Sequence, residues 1–211
     1  MRPPSARRVV VALMAVALFA ACGDDSSDES TTASTAPGPS ESGAPTEPTV
    51  PIAEQAYPIT VEHVFGATVI EAKPERIATV AWANHEVPLA LGVVPVGMSK
   101  ATWGDDDADG VLPWVEDRLT ELGAETPVLF DETDGIDFEA VGNTEPDVIL
   151  ASYSGITQEE YDTLSKIAPV IAYPEVAWGT SVQDMILLNS QAMGMAAEGE
   201  QLVADLDAQV A

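Results

Sequence analysis

The chain has 211 residues, 46% of them hydrophobic, which is enough to fill the core of one ordinary domain. Acidic residues outnumber basic ones 35 to 8, a formal net charge of −27, so there is no cationic face to displace counterions and nucleic acid is excluded as a partner. The single cysteine excludes an intramolecular disulfide.

Arg2, Arg7 and Arg8 open the chain, ahead of the first acid at Asp24. Residues 9–21, "VVVALMAVALFAA", form an apolar run ending in small residues, and Cys22 follows. The run is shorter than the about 20 residues a membrane-spanning helix needs, and reads as the core of an export signal over 1–21. Small residues before a cysteine resemble the lipobox of bacterial lipoproteins, which implies cleavage before Cys22 and its lipidation. Phe19 departs from that pattern, with Leu18 one place earlier. Residues 22–56 are rich in Ser, Thr, Pro, Gly and acids, and bury too little apolar surface to offset the entropy of ordering. They read as a flexible tether.

Beyond it, "YPITVEHVFGATVIEA" alternates apolar and polar residues around Phe65-Gly66-Ala67 and predicts a β-hairpin that contains His63. "RIATVA" (76–81) suits a buried strand. Asn84 is placed to cap a short helix running to Leu91, with Pro88 in its first turn. Strands are expected at "VPVGM" (94–98), "PVLF" (127–130), "DVILAS" (147–152) and "PVIAY" (169–173), helices at 114–122 and 157–167, and a short helix and turn at 137–146. From 181 to 210, the apolar spacing of Met185, Leu188, Ala192, Met195, Leu202 and Leu206 fits one long amphipathic helix.

Strand followed by helix, repeated four times, predicts an α/β fold: a parallel sheet with helices on both faces. Ligands of such sheets bind beyond the carboxyl ends of the strands. Those ends fall at 81–83, 99–103, 130–133, 152–155 and 173–178, and they carry Trp82, Trp103, Tyr153 and Trp178. Aromatic side chains there offer broad rigid contact to a bulky ligand. His85, beside Trp82, is a further candidate contact, whereas Trp114 belongs inside a helix and reads as packing.

The stretch "GDDDADGVLPWVEDRL" carries Asp105, Asp107, Asp109, Gly110 and Glu116 at the spacing of a calcium-binding EF-hand loop. An EF-hand has a helix on each side, and here the entering segment reads as strand and turn. A solvated loop is favoured over a structural calcium site. No G-x-S-x-G, P-loop or H-E-x-x-H pattern occurs, and spacing alone assigns no pair of carboxylates to a shared catalytic site.

"PERIATVAWANHEVPLALGVVPVGMS" (74–99) and "NTEPDVILASYSGITQEEYDTLSKIAPVIAY" (143–173), with the lipobox, resemble the amino-terminal half of iron–siderophore substrate-binding lipoproteins of ABC importers. That family has two α/β lobes joined by a long helix, with the ligand between them. The resemblance implies a ligand-binding lobe over 57–179 and the start of the connecting helix over 180–211. It also implies a monomeric carrier without catalysis or resident cofactor, held to the outer face of the cell membrane by lipid at Cys22. Its cargo would be a ferric siderophore whose iron needs no protein ligand. Family members present an acidic residue to arginine pockets of the permease, and the matching position falls on Glu159 or Glu160. Lys100 is the sole basic residue near an expected strand end, which favours a neutral or cationic hydroxamate chelate over an anionic catecholate. Two other readings stay open from the residues alone: a tethered enzyme using carboxylate chemistry, and a calcium-stabilised surface scaffold.

Overall fold

The computed structural model describes residues 56–210. The export signal, Cys22 and all but the last residue of the expected tether lie outside the described residues.

The chain enters through an antiparallel hairpin, β1 (Ile59–His63) and β2 (Gly66–Ile70), with a two-residue turn at Val64 and Phe65. The alternation in "ITVEH" puts Ile59, Val61 and His63 on the buried face and Thr60 and Glu62 in solvent. Five short strands then make a wholly parallel sheet: β3 (Ile77–Thr79), β4 (Gly97–Ser99), β5 (Val128–Phe130), β6 (Val148–Ala151) and β7 (Val170–Ala172). Their spatial order is β5-β4-β3-β6-β7. Register runs Ile77 to Val148, Ile149 to Val170 and Met98 to Leu129. β3 is therefore central, and the chain winds outward from it first one way and then the other. The crevice beside β3 is the switch point at which doubly wound sheets bind ligands.

The helices between the strands are α1 (Glu86–Ala90), α2 (Pro113–Leu122), α3 (Phe138–Asn143) and α4 (Gln158–Leu164). The two faces of the sheet are packed separately, as a buried parallel sheet requires. On one, Ala78, Val80, Ile149, Ala151, Val170 and Ala172 meet Phe130, Val141 and Leu164. On the other, Ile77, Val148, Leu150 and Ile171 meet Ile59, Val61 and Ile70 of the hairpin together with Ala192 and Met193. A satellite cluster of Leu89, Met98, Val111, Leu112, Val115 and Leu119 seats α2.

Two local expectations are corrected. The long helix expected over 181–210 is two helices, α5 (Val182–Ala192) and α6 (Ala196–Val210). Gly194 takes φ 71°, its N–H donates to Gln191 O at 3.0 Å, and Met195 N–H donates to Ser190 O at 2.8 Å. This is a Schellman stop, in which glycine supplies the left-handed residue that ends a helix. The apolar spacing continues across the break because both helices bury one stripe, and spacing alone does not register the turn between them.

Asn84, expected as a helix cap, does not cap. The cap position of α1 is His85, without a side-chain cap bond. Asn84 is wholly buried and joins three elements. Its amide donates to Val80 O and Tyr153 O, each at 2.9 Å, and to Trp82 O at 3.3 Å. Its carbonyl oxygen accepts from Tyr153 N–H at 3.1 Å, Ser152 Oγ at 3.2 Å and Asn189 Nδ2 at 3.4 Å. The loops leaving β3 and β6 are thereby latched to each other and to α5.

Candidate functional site

The carboxyl ends of the strands open into a cleft of about 450 Å³. Each strand delivers particular groups to it: β3 delivers Ala81 and Trp82, β4 Ser99, Lys100 and Thr102, β5 Glu132 and Thr133, and β6 Gly155, Ile156 and, in the first turn of α4, Glu160. Trp178, beyond β7, and Ile136 add apolar surface to its lining. A second recess of about 400 Å³, mainly apolar, lies between α1, α2, α5 and α6, but no strand end opens into it.

The two tryptophans are held by unusual backbone. Ala81, Ala83 and Trp178 have φ near 60°, in the left-handed region that costs a residue with a side chain roughly 1–2 kcal/mol. Trp178 is pinned by its N–H donating to Ser154 O at 2.8 Å. Its indole lies over Gly155, where a Cβ would stand only 2.2 Å from Nε1, so the absence of a side chain at 155 is what admits the ring. Tyr153 supports Trp178 from behind in an edge-to-face contact, centroids 5.5 Å apart. Trp82 and Trp178 are 37% and 52% exposed, a large apolar area left open at the mouth of a cleft.

The floor is polar. Glu132 accepts the Ala81 N–H at both oxygens, 3.1 and 2.9 Å, and the Ser99 hydroxyl at 3.0 Å. It thus ties the ends of β3, β4 and β5 together and fixes Ala81 just before Trp82. Burial pushes its carboxyl above the usual glutamate range, opposed by the bonds from Ala81 and Ser99, and the nearby Glu160 pushes the same way as burial.

The sequence-designated residues fall into three groups. Trp82 and Trp178 both line the cleft. Tyr153 and His85 stand behind it: Tyr153 against Trp178, and His85 buried under the loop that bears Trp82. Burial lowers the His85 imidazole to about 4, so it is held neutral. Trp103 is 76% exposed on the loop after β4 and lines no part of the cleft. Glu132, Ser99, Ile136 and Ile156 also line the cleft without any motif in the sequence to single them out, although Glu132 falls in the expected strand end at 130–133.

Of the two glutamates at the start of α4, Glu160 closes a capping box, accepting the Thr157 N–H at 2.7 Å. Glu159 is exposed beside it.

In the acidic loop, carboxylate oxygens of Asp105, Asp107 and Asp109 lie within 4.8 Å of one another. Asp105 is already occupied by backbone: Oδ1 accepts Asp107 N–H and Ala108 N–H, and Oδ2 accepts Gly110 N–H at 2.7 Å. These bonds, Gly110 first, hold its carboxyl below the usual range. Glu116 is not one of the three; desolvation and then the charges of Asp109, Asp107 and Asp106 raise its carboxyl. The segment entering the loop is β4 and a turn, so no EF-hand helix pair surrounds it.

A parallel sheet wound outward from β3, with a cleft at its switch point bordered by Trp82 and Trp178, is the architecture of a ligand-binding α/β domain, and the sequence matches accordingly. Residues 77–211 match the family described as periplasmic binding protein, and the chain belongs to that family. It is 30% identical over 153 residues to the probable siderophore-binding lipoprotein YfiY of Bacillus subtilis (strain 168), covering 72% of this chain and 43% of that one. The structure of PiaA from Streptococcus pneumoniae TIGR4 in complex with ferrichrome superposes with a TM-score of 0.70 at 54% identity, covering 72% of this chain and 50% of that one. SirA of Staphylococcus aureus complexed with staphyloferrin B superposes with a TM-score of 0.58 at 29% identity, covering 72% and 47%. The chain thus spans about half the length, or less, of these relatives.

Proposed function

We propose that this chain forms the amino-terminal ligand-binding lobe of a lipoprotein that captures a ferric siderophore outside the cell and delivers it to an ABC permease. The carrying observation is the cleft itself: Trp82 and Trp178 both line it at the carboxyl ends of the strands, both substantially exposed, together with polar Ser99 and Glu132. Flat indole faces grip a bulky, rigid guest through area, and the guest keeps its own metal coordination. Iron is cargo here, carried within the chelate. In this role the chain binds and releases, and catalyses nothing.

The relatives support this reading, one named as siderophore-binding and another solved with ferrichrome. Because ferrichrome is a hydroxamate, that complex also favours a hydroxamate chelate for this chain. Cys22 is the proposed lipid anchor, and residues 180–211, carrying α5 and α6, lead towards a second lobe that would complete the clamp. Glu159 is the proposed permease contact, because the Glu160 carboxylate is engaged at the start of α4.

Tryptophan fluorescence provides the test. Saturable quenching by a ferric trihydroxamate, weaker for a ferric tris-catecholate and lost in the Trp82→Ala/Trp178→Ala double variant, is the expected result. Equal response to both chelates, or quenching retained in the double variant, would refute the proposal.

A further inference from the structure

The cleft holds three charged residues: Glu132, Glu160 and Lys100. Lys100 does not neutralise Glu132. Among the described residues the ion pair present is Arg118 with Glu121, and none involves Glu132. The Lys100 stem lies instead against Gly110 of the acidic loop. Its charge falls on Asp131, whose carboxyl is held down first by bonds from Thr133 and then by Lys100. Glu160 adds a second negative charge on the cleft side of α4. The cleft therefore keeps an excess of negative charge, centred on a carboxylate at its floor.

That carboxylate also has unused bonding capacity. A carboxylate oxygen accepts two hydrogen bonds. Oε1 of Glu132 accepts only its share of the Ala81 N–H, at 3.1 Å, while Oε2 takes the shorter part of that bond and the Ser99 hydroxyl. Oε1 is thus an acceptor with an open lone pair in a partly desolvated cleft. Groups in such a setting discriminate strongly between a ligand that supplies a donor and one that supplies another anion.

We propose that Glu132 is the charge filter of the cleft: its Oε1 accepts a hydrogen bond from the bound chelate and ranks ferric trihydroxamates by charge, cationic above neutral above anionic. This deepens, and rests on, the reading that the cleft holds a ferric hydroxamate. It assigns selectivity to one side chain rather than to the strong overall acidity of the chain.

The test uses one linear trihydroxamate as its iron(III) complex in three forms: terminal amine free (+1), acetylated (0) and succinylated (−1). The iron centre and its hydroxamate ligands are the same in all three. Affinities come from tryptophan quenching of the full chain in 0.15 M salt, where charges beyond about 8 Å are screened. Each unit of charge is expected to change Kd about tenfold in the wild type, and Glu132→Gln is expected to reduce the ratio between the free-amine and succinylated forms from about a hundredfold to under tenfold. Using a ratio cancels any general loss of affinity in the variant. A flat series in the wild type, or an equally steep one in Glu132→Gln, overturns the filter while leaving the proposed function standing. Failure of all three chelates to quench overturns the proposed function and the filter together. Should the variant not fold, the wild-type ratio at 0.5 M salt decides. Persistence supports a local carboxylate, and collapse overturns it in favour of long-range charge.

Discussion

Replacing Asn84 by alanine removes the latch between the loops that carry Trp82 and Tyr153. Four of its contacts lie at 3.2 Å or less, to Val80 O, Tyr153 O, Tyr153 N–H and Ser152 Oγ. Asn84, Ser152 and Val80 are fully buried, so water does not readily replace the lost partner. A buried hydrogen bond contributes roughly 1 kcal/mol net, and a stranded buried donor or acceptor costs about 1–3 kcal/mol. The bonds share one network and are not additive. A total of about 3–4 kcal/mol is expected, a large part of the about 5–15 kcal/mol that holds a typical domain together. Urea denaturation followed by far-UV circular dichroism measures it. The midpoint should fall with the slope unchanged, and the melting temperature should drop by about 10 °C. A loss below about 1 kcal/mol would refute the reasoning, because it would mean that the loops hold their positions without Asn84.

Two further outcomes follow from the same geometry. In Gly155→Ala the new methyl meets the Trp178 indole, so the ring swings off the backbone and chelate affinity falls roughly tenfold; unchanged affinity in a quenching titration would contradict the placement of that ring. His85 is held neutral by burial, with its imidazole lowered from 6.5 to about 4. Its depressed value makes its stabilising contribution complete above pH 6.5 and progressively lost as pH falls towards 4, at up to about 1.4 kcal/mol per pH unit. His85→Gln should flatten the decline of urea midpoints between pH 6.5 and 4.5 relative to wild type, and parallel curves would show that His85 is not buried as described.

The fold was legible because its signals are local and redundant. Runs such as "DVILAS" are apolar throughout, as strands buried on both faces must be, and β6 forms there. Thr157 with Glu160 spells a capping box three residues apart, and α4 begins there. The break at Gly194 was also written locally, as glycine after an apolar stripe, but the continuing stripe outweighed it. The site was legible only in part. Trp82 and Trp178 stand out because tryptophan is rare and both fall past strand ends. Glu132 does not stand out, because one glutamate among 35 acids carries no contrast, and its importance lies in a bond to Ala81, 51 residues away. The role of Asn84 was hidden for the same reason: its residue type announces a cap, while its partners at 152, 153 and 189 come together only after folding. Trp103 shares residue type and a strand-end position with Trp82, yet its loop leaves it in solvent.

The proposed contact of a chelate with Trp82 and Trp178 is tested most directly by nuclear magnetic resonance of the indole N–H groups, with gallium(III) replacing iron(III) in a trihydroxamate. The four tryptophans give separate signals, and Trp114, on α2 with its Nε1–H donating to Glu86, is an internal reference outside the cleft. Saturable shifts at Trp82 and Trp178, with Trp114 unmoved, are the predicted result. Shifts confined to Trp114, or none at either cleft tryptophan, would contradict it.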